Sequence, residues 1–270
     1  AVPNREGEYV LLSGNETGLL LLNYICSMRQ AAGTMPEHPV FVKTIVTMDM
    51  AARIAADYGV KTVDVLTGFK FIGDQIARLE AEGRENDYIL GFEESYGYLS
   101  GSYVRDKDAV DGAFLICEMA AYYRSKGMGL LEVLEGLYEK YGFCLNTLHS
   151  YEFEGMEGFE KMKGIMNRLH TMASRIAEGE AVCIGGRKTE AVEDYLSGTI
   201  SRADKTTEPI AGLPSSDVLK FRLAGNASVV VRPSGTEPKL KLYISVSAED
   251  KAKAQAEEEK ITAQMEEWFL

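Results

Sequence analysis

Near the C-terminus a guanidinium, two hydroxyls and a glycine fall within five residues: Arg232, Ser234, Gly235 and Thr236, with Lys241 shortly after. Arg232 can engage two phosphate oxygens in a fork, and the hydroxyls of Ser234 and Thr236 can donate to an anion. Gly235, lacking a Cβ, lets backbone N–H groups approach that anion closely. With Lys241 as a second positive charge, the set suits a phosphate ester dianion. The same residues also read as a plain polar hairpin, because Pro, Ser and Gly are ordinary turn formers. A second group, Glu93, Glu94 and Ser95, lies between Gly91 and Gly97. In an extended segment residues two apart share a face, which puts Glu93 with Ser95 and Glu94 opposite. A carboxylate beside a hydroxyl can read vicinal sugar hydroxyls, since it accepts two hydrogen bonds at once. A solvated acidic loop is the plainer alternative, and composition alone favours it. Thr67, Gly68, Phe69 and Lys70 offer a backbone approach and a cation, but alone they are no more than a turn. Asp108 suits a helix N-cap; that explains neither Arg105 nor Lys107 before it.

The elements that must position these groups follow from hydrophobic periodicity. Leu240, Leu242, Ile244 and Val246 alternate with Lys239, Lys241, Tyr243 and Ser245, and 227–231 is rich in valine, so the loop at 232 joins two strands. From 13 to about 145 helices and strands alternate. A helix over 16–29 is capped from 13–15, a strand covers 39–45, and a helix capped by Thr47 ends at Gly59. A strand over 60–66, a helix over 71–82 closed by Gly83, a strand over 88–92 and helices over 108–125 and 130–141 follow. This predicts a layered α/β domain with a largely parallel sheet, whose ligand loops follow Leu66 and Leu90 at the carboxyl ends of strands. The run 8–12 reads as a strand with no partner before it. Beyond 148 come a strand at 149–154, a helix over 157–177, strands at 181–184, 218–223, 228–232 and 239–246, and a helix over 249–268. That order predicts an α+β domain with an antiparallel sheet and flanking helices, with 198–217 as a long, mobile connection. The expected domains are 1–148 and 149–270.

The 270 residues carry a formal net charge of −12, which argues against a nucleic-acid partner or an anionic membrane surface and makes the cations around 232–241 a local feature. The longest apolar run, Leu19 to Leu22, is far too short to span a bilayer, and no secretory signal pattern opens the chain. Cys26, Cys117, Cys144 and Cys183 lie far apart without metal-ligand spacing, and read as buried thiols of a reducing, cytoplasmic setting. No metal-ligand set is expected in this chain. His38, His149 and His170 are isolated and read as structural or solvent-facing. Trp268 reads as a packing anchor, and Met48, Met50, Met119 and Met128 as core filler.

Taken in order, Thr67-Gly-Phe-Lys70, then Gly91-Phe-Glu-Glu-Ser-Tyr-Gly97 with Arg105-Asp-Lys-Asp108 soon after, then Arg232 to Tyr243, resemble the α-D-phosphohexomutase family. The likeness is to its phosphoglucomutase and phosphopentomutase branch, over essentially the whole chain. It implies a four-domain protein of which residues 1–148 are the third, sugar-binding domain, with the tail of the second at its start, and 149–270 the fourth. The resemblance implies that Glu93 and Ser95 read the sugar, with Thr67, Gly68, Phe69, Lys70 and Arg105 also contacting substrate. Lys107 is the implied candidate general acid or base, and Arg232, Ser234, Gly235, Thr236 and Lys241 the clamp for the phosphate not being transferred. Many phosphomannomutase and phosphoglucosamine relatives carry Gly-His after the serine, whereas Tyr96 and Gly97 follow Ser95 here, which favours Lys107 over a histidine. The family's phosphorylated-serine segment and aspartate-rich magnesium loop do not occur in the sequence, so the chain is expected to start just downstream of the metal loop. The intact enzyme is expected to interconvert hexose 1-phosphate and 6-phosphate through a phosphoserine and a bisphosphate. Magnesium, glucose 1,6-bisphosphate and the N-terminal domains of the same protein are its implied cofactors and partners. The fragment alone is expected to be inactive. Phosphomannomutase or phosphopentomutase specificity, a stand-alone sugar-phosphate binding module and an interaction scaffold are the rival expectations.

Overall fold

Helix α1 (Gly14–Ala32) starts at a capping box: the Ser13 hydroxyl accepts from the Glu16 amide at 3.2 Å, and the Glu16 carboxylate accepts from the Ser13 amide at 2.7 Å. Leu19 to Leu22 are all fully buried, as expected of a helix enclosed on every side. The computed structural model describes residues 1–234 and 237–269. They divide into two compact units, Ala1–Tyr141 and Gly142–Leu270.

In the first unit β1 (Val2–Pro3) pairs antiparallel with β2 (Tyr9–Val10), so the run expected to lack a partner finds one in the residues just before it. The central sheet has the order β4-β3-β5-β6. Strands β3 (Val40–Thr44), β4 (Lys61–Val65) and β5 (Tyr88–Glu93) are parallel, and β6 (Gly97–Leu99) returns antiparallel along β5. Helices α2 (Met50–Asp57), α3 (Phe69–Ala81), α4 (Ala109–Ser125) and α5 (Leu130–Tyr141) complete the unit. Helix α1 lies close on β5 because residue 18 is glycine; a Cβ there would stand 2.4 Å from the Phe92 ring. Thr47 does not cap α2: Asp49 holds the cap position without a side-chain cap bond, and the Thr47 hydroxyl pairs with that of Thr44 at 2.8 Å. Lys43 explains the difference. Its ammonium is fully buried and draws in Asp64 at 3.0 Å, Asp49 at 3.2 Å and the Thr47 carbonyl at 3.2 Å. Burial opposes its charge, but Asp64 and Asp49 outweigh that and hold its pKa above the ordinary lysine value.

The second unit runs β7 (Phe143–Glu152), α6 (Gly155–Ala177), β8 (Cys183–Ile184), β9 (Arg187–Asp194), β10 (Thr199–Arg202), β11 (Thr207–Pro209), β12 (Leu219–Leu223), β13 (Ala227–Pro233), β14 (Lys239–Ala248) and α7 (Lys251–Phe269). Its antiparallel sheet has the order β11-β10-β9-β12-β13-β14-β7, with β8 on β9. Leu240, Leu242, Ile244 and Val246, with Val229, Val231 and Phe221, form one apolar face packed with Ile165 and Leu169 of α6 and Ile261 and Met265 of α7. The units part at 141/142 rather than 148/149 because β7 is one strand, in register with β14 from Phe143 opposite Ala248 to Glu152 opposite Lys239. The stretch expected to be a mobile connection holds β10 and β11, which pair with each other, and β10 continues the sheet from β9.

Two expectations about the core need correction. Cys26 and Cys144 are buried, but Cys117 and Cys183 are exposed, the first on the outer side of α4 and the second on a strand whose other residue, Ile184, takes the buried side. Met48, Met50 and Met119 are buried, whereas Met128, in the turn between α4 and α5, is exposed. No helix among the described residues is long and apolar enough to cross a membrane.

His170 of α6 ties the helix to the sheet and to the segment before β12. Its Nδ1 lies 3.3 Å from Asp194 and its Nε2 2.8 Å from Asp217. The Asp217 hydrogen bond, against burial and with help from Asp194, raises its pKa. A raised value in the folded state means that the folded protein binds more protons, so the stabilisation is complete below the unfolded value near 6.5 and is lost as pH rises through the folded one. Urea unfolding midpoints are therefore expected to fall from about pH 6.5 upward, and to fall less steeply in His170→Gln, which hydrogen-bonds without titrating; equal slopes would show that His170 does not carry the dependence.

Candidate functional site

The carboxyl ends of β3, β4 and β5 bring the first unit's candidates to one edge of its sheet. Glu93 ends β5 and pairs across the hairpin with Gly97, the first residue of β6. A Cβ at Gly97 would lie 2.8 Å from both Cγ and Oε1 of Glu93, so the glycine supplies the space in which this carboxylate sits. Glu93 is only 8% exposed, not the solvated acidic side chain that composition favours. Opposite it, Lys107 Nζ lies 3.9 Å from Glu93 Oε1, 3.3 Å from Asp106 Oδ1 and 5.7 Å from the centroid of the Phe69 ring. One half-exposed ammonium thus gathers residues from all three segments singled out in this part of the sequence. The Asp106 carboxyl is held below the usual range by the Lys107 amide and then by its side chain. Asp108 caps α4 as expected, accepting from the amides of Val110 at 2.8 Å and Asp111 at 3.1 Å.

Other expected residues lie differently. The chain leaves β5 at Glu93, so Ser95 sits in the turn and is exposed; the alternation that would pair it with Glu93 applies only to extended backbone. Glu94 instead accepts from the Thr44 hydroxyl at 3.3 Å. Phe69 and Lys70 belong to the first turn of α3, two residues earlier than the expected helix start, with Gly68 at φ +114° as the cap and no side-chain cap bond. Thr67 lies in the bend before that cap, partly buried. Phe69 is buried under Lys107, while Lys70 is exposed, its Nζ 4.8 Å from the Phe71 ring. Arg105 does not join Glu93: its guanidinium is held by Glu80 and by the Ser102 and Val104 carbonyls. Its backbone rests on α3, where a Cβ at Gly73 would lie 2.4 Å from the Arg105 carbonyl oxygen. Thr44, Gly73 and Gly97 were not legible as site residues; a glycine opposite a strand-ending glutamate was the one available signal.

In the second unit Arg232 and Lys241 are direct cross-strand partners on β13 and β14, on the face away from the apolar core. Like charges placed opposite each other are unfavourable in themselves, and an anion bridging them would reverse the sign. The Ser234 amide donates to the Lys239 carbonyl at 2.7 Å, closing the strand ends; Gly235 and Thr236 lie outside the described residues. Lys239 is drawn to Glu152 and Glu237, each at 3.0 Å, and Glu152 leads in raising its pKa. Among the described residues no group of three or more His, Cys, Asp or Glu side chains is placed to hold a metal ion.

Known proteins resemble this chain in sequence and in fold. Residues 13–141 match the family described as phosphoglucomutase/phosphomannomutase, alpha/beta/alpha domain III, and residues 185–262 match the phosphoglucomutase/phosphomannomutase C-terminal domain. Phosphoglucomutases of Staphylococcus aureus are similar in sequence: that of strain bovine RF122 / ET3-1 is 36% identical over 240 residues, covering 89% of this chain and 41% of the relative. That of strain MRSA252 is 37% identical over 244 residues, covering 90% and 42%. The chain thus spans about two-fifths of the length of these relatives. In fold it is similar to the open form of the Paramecium phosphoprotein pp63/parafusin, a phosphoglucomutase (TM-score 0.63, 17% identity, 97% of this chain and 42% of that one). It is also similar to an Aspergillus fumigatus N-acetylphosphoglucosamine mutase variant in complex with glucose 1,6-bisphosphate (TM-score 0.50, 14% identity, 98% of this chain and 44% of that one). With both family domains matched in order, the chain belongs to the phosphoglucomutase/phosphomannomutase family, matching its domain III and its C-terminal domain.

Proposed function

We propose that this chain is the substrate-recognition part of a phosphoglucomutase-type enzyme that interconverts hexose 1-phosphate and 6-phosphate. The observation that carries the reading is the meeting of Phe69, Glu93 and Asp106 around the Lys107 ammonium. Glu93, held in its Gly97 cradle, accepts hydrogen bonds from vicinal sugar hydroxyls, and Ser95 on the neighbouring turn adds a hydroxyl. Lys107 stands as the group that gives or takes a proton at the hydroxyl oxygen that loses or gains the phosphoryl group. Arg232 and Lys241, with Ser234, hold the phosphate that does not react. Gly235 and Thr236 complete that loop in sequence.

The enzyme phosphoserine, the magnesium ligands and the transfer step belong in this reading to the remainder of a longer, cytoplasmic protein, and glucose 1,6-bisphosphate is its intermediate. Magnesium, when bound there, would neutralise charge on the transferring group. The likeness to phosphoglucomutases that are more than twice as long supports this division.

Calorimetric titration of the 270-residue chain with glucose 6-phosphate is expected to give weak binding that falls by roughly 10- to 100-fold in Arg232→Ala, the worth of a hydrogen bond to a charged group. Equal heats in both would support the scaffold instead. The same chain is expected to show no interconversion of glucose 1- and 6-phosphate with glucose 1,6-bisphosphate present, and turnover would overturn the proposed division of labour. Gly97→Ala forces the Glu93 carboxylate out of its cradle, so the variant should remain folded by circular dichroism yet bind glucose 1-phosphate several-fold more weakly. Wild-type affinity in that variant would remove Glu93 from the sugar site.

A further inference from the structure

The connection between Glu93 and its cross-strand partner Gly97 is the three residues Glu94, Ser95 and Tyr96. Hairpin loops of this length turn on a last residue in the left-handed region, where glycine or asparagine is the low-cost choice. Here that position is Tyr96, at φ +64°. A bulky aromatic in this conformation is strained, and such strain persists where surrounding structure over-determines it. Burial does not account for it, since Tyr96 is 61% exposed.

The ring is nonetheless fixed. Its hydroxyl donates to the Leu12 carbonyl at 3.0 Å. The turn's backbone is wedged against the start of α1, where a Cβ at Gly14 would lie 2.0 Å from the Glu94 carbonyl oxygen and 2.8 Å from the Tyr96 amide nitrogen. With its hydroxyl engaged by Leu12, Tyr96 remains largely exposed on the same short turn that bears Ser95 and follows Glu93.

From this we infer that Tyr96 is a specificity-determining residue: its ring face is a stacking platform for the C–H-bearing face of the sugar ring. The inference rests on the sugar-phosphate reading above. The chemistry is complementary. Aromatic faces carry negative quadrupolar charge, whereas the axial C–H groups of a pyranose are weakly positive and apolar, and a rigid ring loses little freedom on contact. Glu93 would take the hydroxyls at the ring's edge while Tyr96 takes its face, so the turn would select for a sugar ring and not merely for a phosphate.

The test is titration of the 270-residue chain and its variants with glucose 1-phosphate and, separately, with inorganic phosphate, which has no ring. Tyr96→Gly and Tyr96→Asn, both suited to a left-handed position, are expected to melt at or above wild type. They should bind glucose 1-phosphate roughly three- to tenfold more weakly, the worth of one aromatic contact, with phosphate affinity unchanged. Tyr96→Phe keeps the ring and should retain most of the sugar affinity. Wild-type sugar affinity in the Gly and Asn variants, while Arg232→Ala weakens both ligands, overturns the platform and leaves the sugar-phosphate reading intact. Equal losses for both ligands, or a loss accompanied by a lower melting temperature, mark Tyr96 as turn scaffold and also overturn it. If the wild-type chain binds phosphate but no sugar phosphate more tightly, both the reading and this inference fail.

Discussion

A fully buried ammonium at the end of β3 sets the terms for the first unit. Lys43 is shielded from bulk solvent, so its charge must be met by protein groups, and removing one partner of such a charge generally costs about 3–5 kcal/mol. Asp64 on the adjacent strand, Asp49 and the Thr47 carbonyl are therefore pulled to one point, which fixes where β3 ends and how the chain turns into α2. That turn sets the hydroxyl pair of Thr44 and Thr47, and Thr44 in turn holds Glu94. Glu94 is also pinned from the other side, where Gly14 admits its carbonyl. The placement of Glu93, Ser95 and Tyr96 on either side of Glu94 is thus inherited from the solvation of a lysine that touches none of them.

This dependence explains which parts were legible in the sequence. Strand β14 was plain because its two faces meet different solvents: Leu240 to Val246 alternate into an apolar core. The caps at Ser13 and Asp108 were equally plain, since an N-cap bond is made within a few residues of its donor. Strand β9 was missed because its pattern is interrupted by Glu193, a buried carboxylate that accepts from Tyr195 and from Arg222 on the neighbouring strand. Its partner is far off in sequence, so the position reads locally as a solvated loop. Ser95 was misplaced for a related reason: the period-two rule carries no information about the residue at which a strand stops. The seven-residue motif around Glu93 marked the site, but the glycine that makes room for the carboxylate and the threonine that holds its neighbour could be recognised only once strands were paired.

The two candidate sites also differ in sign, which bears on what each can hold. In the first unit Glu93 and Glu94 stand at the sheet edge with one lysine, a set rich in acceptors and suited to hydroxyl donors. A phosphate dianion there would meet two carboxylates. In the second unit Arg232 and Lys241 face each other across the strands, and the neighbouring cation Lys239 pairs with Glu152 and Glu237. A phosphate there would meet two cationic side chains, one of them a guanidinium able to engage two of its oxygens. On a chain of net charge −12 two cations placed side by side are a local departure from the general field. Under the proposed reading, the acceptor-rich edge of the first unit suits sugar hydroxyls, and the cationic pair of the second suits a phosphate.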